Sequence, residues 1–254
     1  MNRIPSDQRR PALVLVAHGS RDPRALATVR TLLNRIRALR PHLSVHLGHI
    51  ELNEPLLPDT LAALGNTPSV LVPLLFSRGY HVKKDIPEAA AAAGPHARVA
   101  APLGPHPLLV EALHTRLVEA GWRDPSTESE RRTTAVILAA AGSSDPDSAV
   151  DTHHTARLLA ARLGVPVLPA YASAATPTVP EAIRSLTSQG RPDIALSACF
   201  TAPGRFHTES TQAAPGIAAA PLGAHDAMAR LVLHRYDEAQ GTRASTQVLQ
   251  LTSA

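Results

Sequence analysis

Three side chains able to bind metal or move protons stand just beyond short apolar runs. His18 follows ALVLVA, Glu51 follows the run over 44–50, and His81 follows the run over 70–75. Two imidazoles and one carboxylate take a borderline divalent ion and leave coordination positions open. If the three runs are neighbouring parallel strands, their carboxyl ends meet at one edge of the sheet, where open α/β sheets bind ligands. Each residue alone also has a plainer role: a His after a strand is often a structural hydrogen bonder, and Glu51 can be a surface or helix-dipole carboxylate. The joint placement is what points to a metal, since no tightly spaced motif such as HExxH is present. Arg21, Arg78, Lys83 and Lys84 flank the same tips, a cationic rim suited to a polycarboxylate ligand. Gly19-Ser20 and Gly142-Ser143 open helices whose N–H groups can hold an anion, and they equally suit a tight strand-to-helix turn.

The elements that position these residues come in two copies. AHGSRDP at 17–23 returns as AAGSSDP at 140–146, and APLGPH at 101–106 returns as APLGAH at 220–225. Between them, NEPLLPDTL around Pro55 has a weaker echo in ATPTVPEAI around Pro177. The separations of 123, 122 and 119 residues, in the same order, indicate a duplicated unit of about 110 residues. In the first unit, strands are expected at 12–17, 44–50, 70–75 and 98–101. The helices expected are 23–39, capped by Ser20 or Asp22 with Pro23 in the first turn; 58–64, closed by Gly65; one opened by Asp85 and Pro87 that stops at Gly94; and 107–120. The second unit repeats this with strands at 135–140, 165–171 and 194–200 and helices ending at Leu163, at Ser188 and near Tyr236. The expected organisation is a loose tail over 1–10, a first half over 11–122 carrying the site, a charged linker over 123–133, a degenerate second half over 134–237 and a second loose tail over 238–254. Alternating apolar strands and helices imply two doubly wound parallel-sheet α/β halves facing across a cleft.

The second unit acts as an internal control. Ala141 stands where the first has His18, and Ser173 lies near the place of Glu51. Only His207 approximates His81, across a small length difference; it reads as a surface His or as a substrate contact. A repeat that keeps the Gly-Ser-x-Asp-Pro turn and drops His and Glu keeps the backbone and discards the chemistry. His153 and His154 read as helix surface, and Cys199 as an inert core thiol.

Composition narrows the class. Aromatics are 3% of the chain, so Ala, Leu, Val and Ile fill the core. One cysteine excludes an intrachain disulfide and a Cys-rich metal site. The net charge of +4 suits an anionic ligand. The bases are scattered without interleaved aromatics, which argues against nucleic acid. No apolar stretch reaches the length of a membrane span and the N-terminus has no signal pattern, so a cytoplasmic protein with no membrane partner is expected.

These stretches resemble the class II chelatases of the sirohydrochlorin chelatase family in its long, two-half form: VAHGSRDPRA at 16–25, GHIELNEPLLPDTL at 48–61, VPLLFSRGYHVKKDIP at 72–87 and APLGPHPLL at 101–109. They span the first unit in order, and GYHVKKDIP is the more specific part. The resemblance implies insertion of Fe²⁺, Co²⁺ or Ni²⁺, with iron favoured, into sirohydrochlorin or a related polycarboxylate tetrapyrrole, for siroheme or cobalamin. It implies His18, Glu51 and His81 as metal ligands and catalytic groups. Ser20, Arg21, Arg78, Lys83, Lys84 and His207 are expected on the substrate. The metal is a substrate, no organic cofactor is required, and a fused pair of halves suits a monomer. Ala141 in place of a second His excludes two equivalent sites. A non-catalytic metal or tetrapyrrole carrier with the same ligands is the alternative. A histidine phosphatase is disfavoured, since Ala17 stands where that chemistry wants an Arg.

Overall fold

The computed structural model describes the backbone of residues 10–251 and the side chains of 10–241. The first half runs β1 (Ala12–Ala17), α1 (Pro23–Leu39), β2 (Val45–His49), α2 (Leu57–Leu64), β3 (Ser69–Pro73), α3 (Tyr80–Lys83), α4 (Asp85–Ala93), β4 (Ala97–Val99) and α5 (Pro107–Glu119). After α6 (Glu128–Thr133), the second half runs β5 (Thr134–Ala140), α7 (Pro146–Leu163), β6 (Val167–Tyr171), α8 (Val179–Ser188), β7 (Asp193–Ala198), α9 (Arg205–Gln212) and α10 (Asp226–Leu251). The sheets are parallel, with strand orders β2-β1-β3-β4 and β6-β5-β7. A fourth strand in the second sheet is reduced to a single bridge between Leu196 and Ala218.

Period-two alternation sends successive residues of each central strand to opposite faces. Leu13 and Leu15 of β1 and Val136 and Leu138 of β5 enter one large core that spans both halves. Val14 and Val16 face outward onto Leu57, Leu61 and Ile86 of α2 and α4. Ile137 and Ala139 face outward onto Val179, Ala182 and Leu186 of α8. Each sheet is thus covered on both sides, which is why its strands read as unbroken apolar runs. The last helix of each half crosses to the other: α5 packs on α7 and β7, and α10 packs on α1, α5 and β3. The two units are repeats in sequence but share one core.

Four elements depart from the sequence expectation, the first being α3, which lies where a loop after β3 is expected to carry His81. The charged linker holds α6, because Thr127 and Glu130 form a reciprocal capping box. The helix α9 lies in what reads as a loop. The last helix does not stop near Tyr236 but continues to Leu251, so most of the tail expected over 238–254 is helical in backbone; residues 1–9 and 252–254 lie outside the described residues. No described helix is long and apolar enough to cross a membrane.

Candidate metal and substrate cleft

The tips of β1 and β2 stay paired beyond the strands. The amide of Ile50 donates to the Ala17 carbonyl at 2.9 Å, and that of Glu51 to the His18 carbonyl at 3.0 Å. This locks His18 beside Glu51, with His18 Nδ1 3.6 Å from Glu51 Oε1. The close approach requires Gly19: its φ is +105°, and a Cβ there would stand 1.9 Å from the Glu51 carbonyl oxygen. His81 lies not in a loop but on the single turn α3, after the Gly79 cap. Its ring meets that of His18 edge-on, centroids 4.7 Å apart and planes at 84°. Asp85, one turn on, holds His81 Nδ1 at 2.5 Å. The structure therefore brings the three sequence-predicted residues together. It does not gather them into a ready-made cage: among the described residues, no group of three or more His, Cys, Asp or Glu is placed to hold an ion.

Beside them opens a cleft of about 1280 Å³ between the halves. His18, Gly19, Leu52 and Tyr80 line one wall; Ala141, Ser173, Phe200 and His207 line the other. Leu52 and Tyr80 are 51% and 53% exposed, two large apolar groups at the mouth with no burial to explain them.

The second half keeps the backbone of the site without its chemistry. The Ser173 amide donates to the Ala141 carbonyl at 2.9 Å, the same bond that joins Glu51 to His18. At Gly142, with φ +88°, a Cβ would stand 1.9 Å from the Ser173 carbonyl oxygen. The helix caps Gly79 and Gly204 also correspond, which sets Phe206 opposite His81 and puts His207 one residue further on. His207 is not a surface residue: it is half-buried, and its Nε2 is enclosed without a hydrogen-bond partner. Burial pulls its pKa below the usual imidazole value, opposed by the Ala219 backbone and aided by the Arg24 charge.

The expected cationic rim is corrected. Arg78 grips Asp151, and Lys83 bonds Asp145 and Asp147 at 2.8 Å each; both pKa values are raised, first by those hydrogen bonds. Lys84 sits 5.6 Å from the Tyr80 ring centre. None of these three lines the cleft, whereas Arg21, Arg24 and Arg205 do. Arg24 is held by Asp22, so Arg21 is the expected cation that remains available there. Ser20 lines the cleft, but its amide donates to Asn53 Oδ1 at 2.7 Å and its hydroxyl accepts from the Asp22 amide at 3.1 Å, so the turn is tied internally rather than open to an anion. His153 and His154 are exposed, and burial pushes the Cys199 thiol up to about 12, as an inert core thiol requires. Sequence reasoning missed Asp85 as the partner of His81: the two stand four residues apart, but on either side of the break between α3 and α4, where no helical pattern marks them.

Comparison with known proteins gives a consistent picture. The CbiX family model matches residues 12–120 and 135–239. The chain is similar to the sirohydrochlorin cobaltochelatase of Methanococcus aeolicus, 36% identical over 80 residues that are 30% of this chain and 56% of that protein. It is also similar to the sirohydrochlorin ferrochelatase of Bacillus subtilis, 32% identical over 187 residues, 69% of this chain and 68% of that one. The chain thus spans little more than half the length of the first of these relatives. Among solved structures, SirB from Bacillus subtilis with Fe³⁺ superposes with a TM-score of 0.72 at 24% identity, covering 93% of this chain and 98% of that one, and so shares the fold.

Proposed function

Because the chain belongs to the CbiX family, we propose that it inserts a divalent metal ion into sirohydrochlorin or a related polycarboxylate tetrapyrrole. One observation carries the reading. The two imidazoles adjoin at a 4.7 Å centroid distance, His81 Nδ1 is held by Asp85 at 2.5 Å, and His18 Nδ1 lies 3.6 Å from Glu51, an ion-pair contact longer than a hydrogen bond. A carboxylate on Nδ1 fixes ring and tautomer and leaves Nε2 for an ion. The cleft of about 1280 Å³ is wide enough to receive a large planar ligand, and exposed Leu52 and Tyr80 offer it an apolar surface.

In the reaction, two pyrrole N–H bonds break, the metal exchanges water for four ring nitrogens, and two protons leave. His18 and His81 hold the ion through Nε2 while the ring nitrogens displace its water. The imidazoles then accept protons as the metal moves to the macrocycle, with Asp85 stabilising a protonated His81. Glu51 is exposed beside His18 Nδ1 and is not among the residues that line the cleft, so its part is to take the second proton and pass it to solvent. Arg21 meets a substrate carboxylate. The chemistry requires no organic cofactor.

A carrier is the rival reading, and turnover separates the two. A carrier would bind the ion at these residues and leave sirohydrochlorin unchanged, whereas an enzyme converts many equivalents of it. Iron is the first metal to test, because a relative aligned over 187 residues is a ferrochelatase, and two imidazoles with a carboxylate also accept Co²⁺ and Ni²⁺. The test is an anaerobic absorbance assay of sirohydrochlorin with each ion. His18→Ala and His81→Ala should each abolish insertion with the fold intact, and wild-type rates from either variant would refute the site.

A further inference from the structure

The helix that carries His81 has little of its own to hold it in place. It is four residues long, has no buried side chain and lacks a side-chain cap. With no side chain fully buried and only the His81 ring held by Asp85, the hydrophobic effect fixes this turn weakly, and a further force sets it against His18.

That force comes from the other half. The residues around α3 are tied to one stretch of α7 and its cap. Before the helix, Asp151 takes four hydrogen bonds from Arg78: Oδ2 accepts from the backbone amide at 2.8 Å and from Nε at 3.0 Å, and Oδ1 accepts from Nη2 at 2.7 Å and from Nε at 3.2 Å. Beside it, the hydroxyls of Ser77 and Ser148 meet at 2.8 Å. At its end, Lys83 Nζ donates to Asp145 and Asp147, 2.8 Å each. The Asp151 side chain is only 6% exposed, and a carboxylate withdrawn from water this far is held in one geometry by its donors.

The duplicated unit shows that this is not a general property of the fold. The matching positions on α1, 123 residues earlier, are Asp22, Arg24, Ala25 and Thr28 for Asp145, Asp147, Ser148 and Asp151. Thr28 bonds only within its own helix, to the Arg24 carbonyl at 2.8 Å. Arg24 folds back onto Asp22. The close approach of the halves is kept on both sides, with a Cβ on Gly79 falling 3.2 Å from Ser143 Oγ and one on Gly204 falling 3.6 Å from Ser20 Oγ. Among the described residues, the acidic clasp occurs only on the side that meets the His81 helix.

We propose that Asp151 is a positioning residue for metal insertion: through Arg78, and seconded by Asp145 and Asp147 through Lys83, it holds the His81 helix in register with His18. The second half, which has no His at the place of His18, serves as the brace that completes the first. The inference rests on the reading that His81 holds the ion. It deepens that reading by assigning the degenerate half a part in the reaction.

The test compares Asp151→Ala, Asp151→Asn, Lys83→Met and His81→Ala in the full chain. Each is measured for thermal unfolding, for Co²⁺ binding by visible absorption without tetrapyrrole, and for kcat and KM of insertion into sirohydrochlorin. Loss of a partner that orients a metal ligand lowers affinity or turnover by about 10- to 100-fold. Asp151→Ala should therefore weaken the Co²⁺ signal and lower kcat by about that factor, with KM for the tetrapyrrole unchanged. Asp151→Asn should fall between, since an amide still accepts from the Arg78 amide. Lys83→Met cuts the second tie at an exposed position, so it reports on the clasp even if the Asp151 variants fold poorly; a smaller loss of the same kind is expected. Full kcat and an unaltered Co²⁺ spectrum in folded Asp151→Ala or Lys83→Met overturn the proposal. Full activity in His81→Ala instead overturns the site itself, so the two failures are told apart.

Discussion

Gly19→Ala would test whether the chemistry belongs to one strand tip alone. A Cβ at residue 19 would stand 1.9 Å from the Glu51 carbonyl oxygen, where ordinary contact begins at 3.4 Å, so the tips of β1 and β2 must part by about 1.5 Å. An L-residue in left-handed backbone costs about 1–2 kcal/mol. Relieving the overlap by backbone movement adds about 1–3 kcal/mol. The total of about 2–5 kcal/mol lowers Tm by about 4–20 °C in a chain of this size. The same movement separates His18 from Glu51 and from His81, and a misplacement of about 1 Å costs about 100-fold in rate. Gly142→Ala is the matched control, with the same 1.9 Å overlap on Ser173 at a tip that carries Ala141. Thermal melts and anaerobic insertion rates per folded molecule should show similar losses of Tm in both variants and a large loss of turnover in Gly19→Ala alone. Wild-type stability in Gly19→Ala would refute the steric argument. Equal loss of turnover in the two would refute a site confined to the first half.

Other outcomes follow from the same geometry. Asp85→Asn should lower Co²⁺ affinity by about 10- to 100-fold with little change in Tm, because it removes the carboxylate from His81 Nδ1; unchanged affinity would mean that this contact does not orient the ligand. His207→Ala should keep most of the turnover while raising KM, and a loss as large as that of His81→Ala would contradict a single site. Burial, the first cause at each, lowers the pKa values of His46, His49, His106, His114, His207 and His225 below 6.5. A group with a depressed folded value gives its full stability above its unfolded value and loses it as the pH falls through the folded one. Tm should therefore decline on acidification below about 6.5, before the paired carboxylates are protonated; a flat Tm across that range would show that these rings charge without penalty.

What the chain determined by itself is what neighbours in sequence can specify. The unbroken apolar run of β1, the Asp22 and Pro23 start of α1 and the Gly65 stop of α2 are local signals, and each element forms close to its expected bounds. The duplication made the comparison of His18 with Ala141 possible before any coordinates, because both sit one residue past a strand whose end the pattern marks. The tertiary structure alone decided which charges meet. Arg78 and Asp151 are 73 residues apart and belong to different halves, so no periodicity links them, and a rim that read as free cations is half consumed in a clasp. His207 reads as a surface residue along the chain and is enclosed in space, where Phe200, the Ala219 backbone and the charge of Arg24 from the other half surround it. The exchange of α5 and α10 between sheets is equally silent in the sequence: an amphipathic helix states that it must be covered, and not by which half.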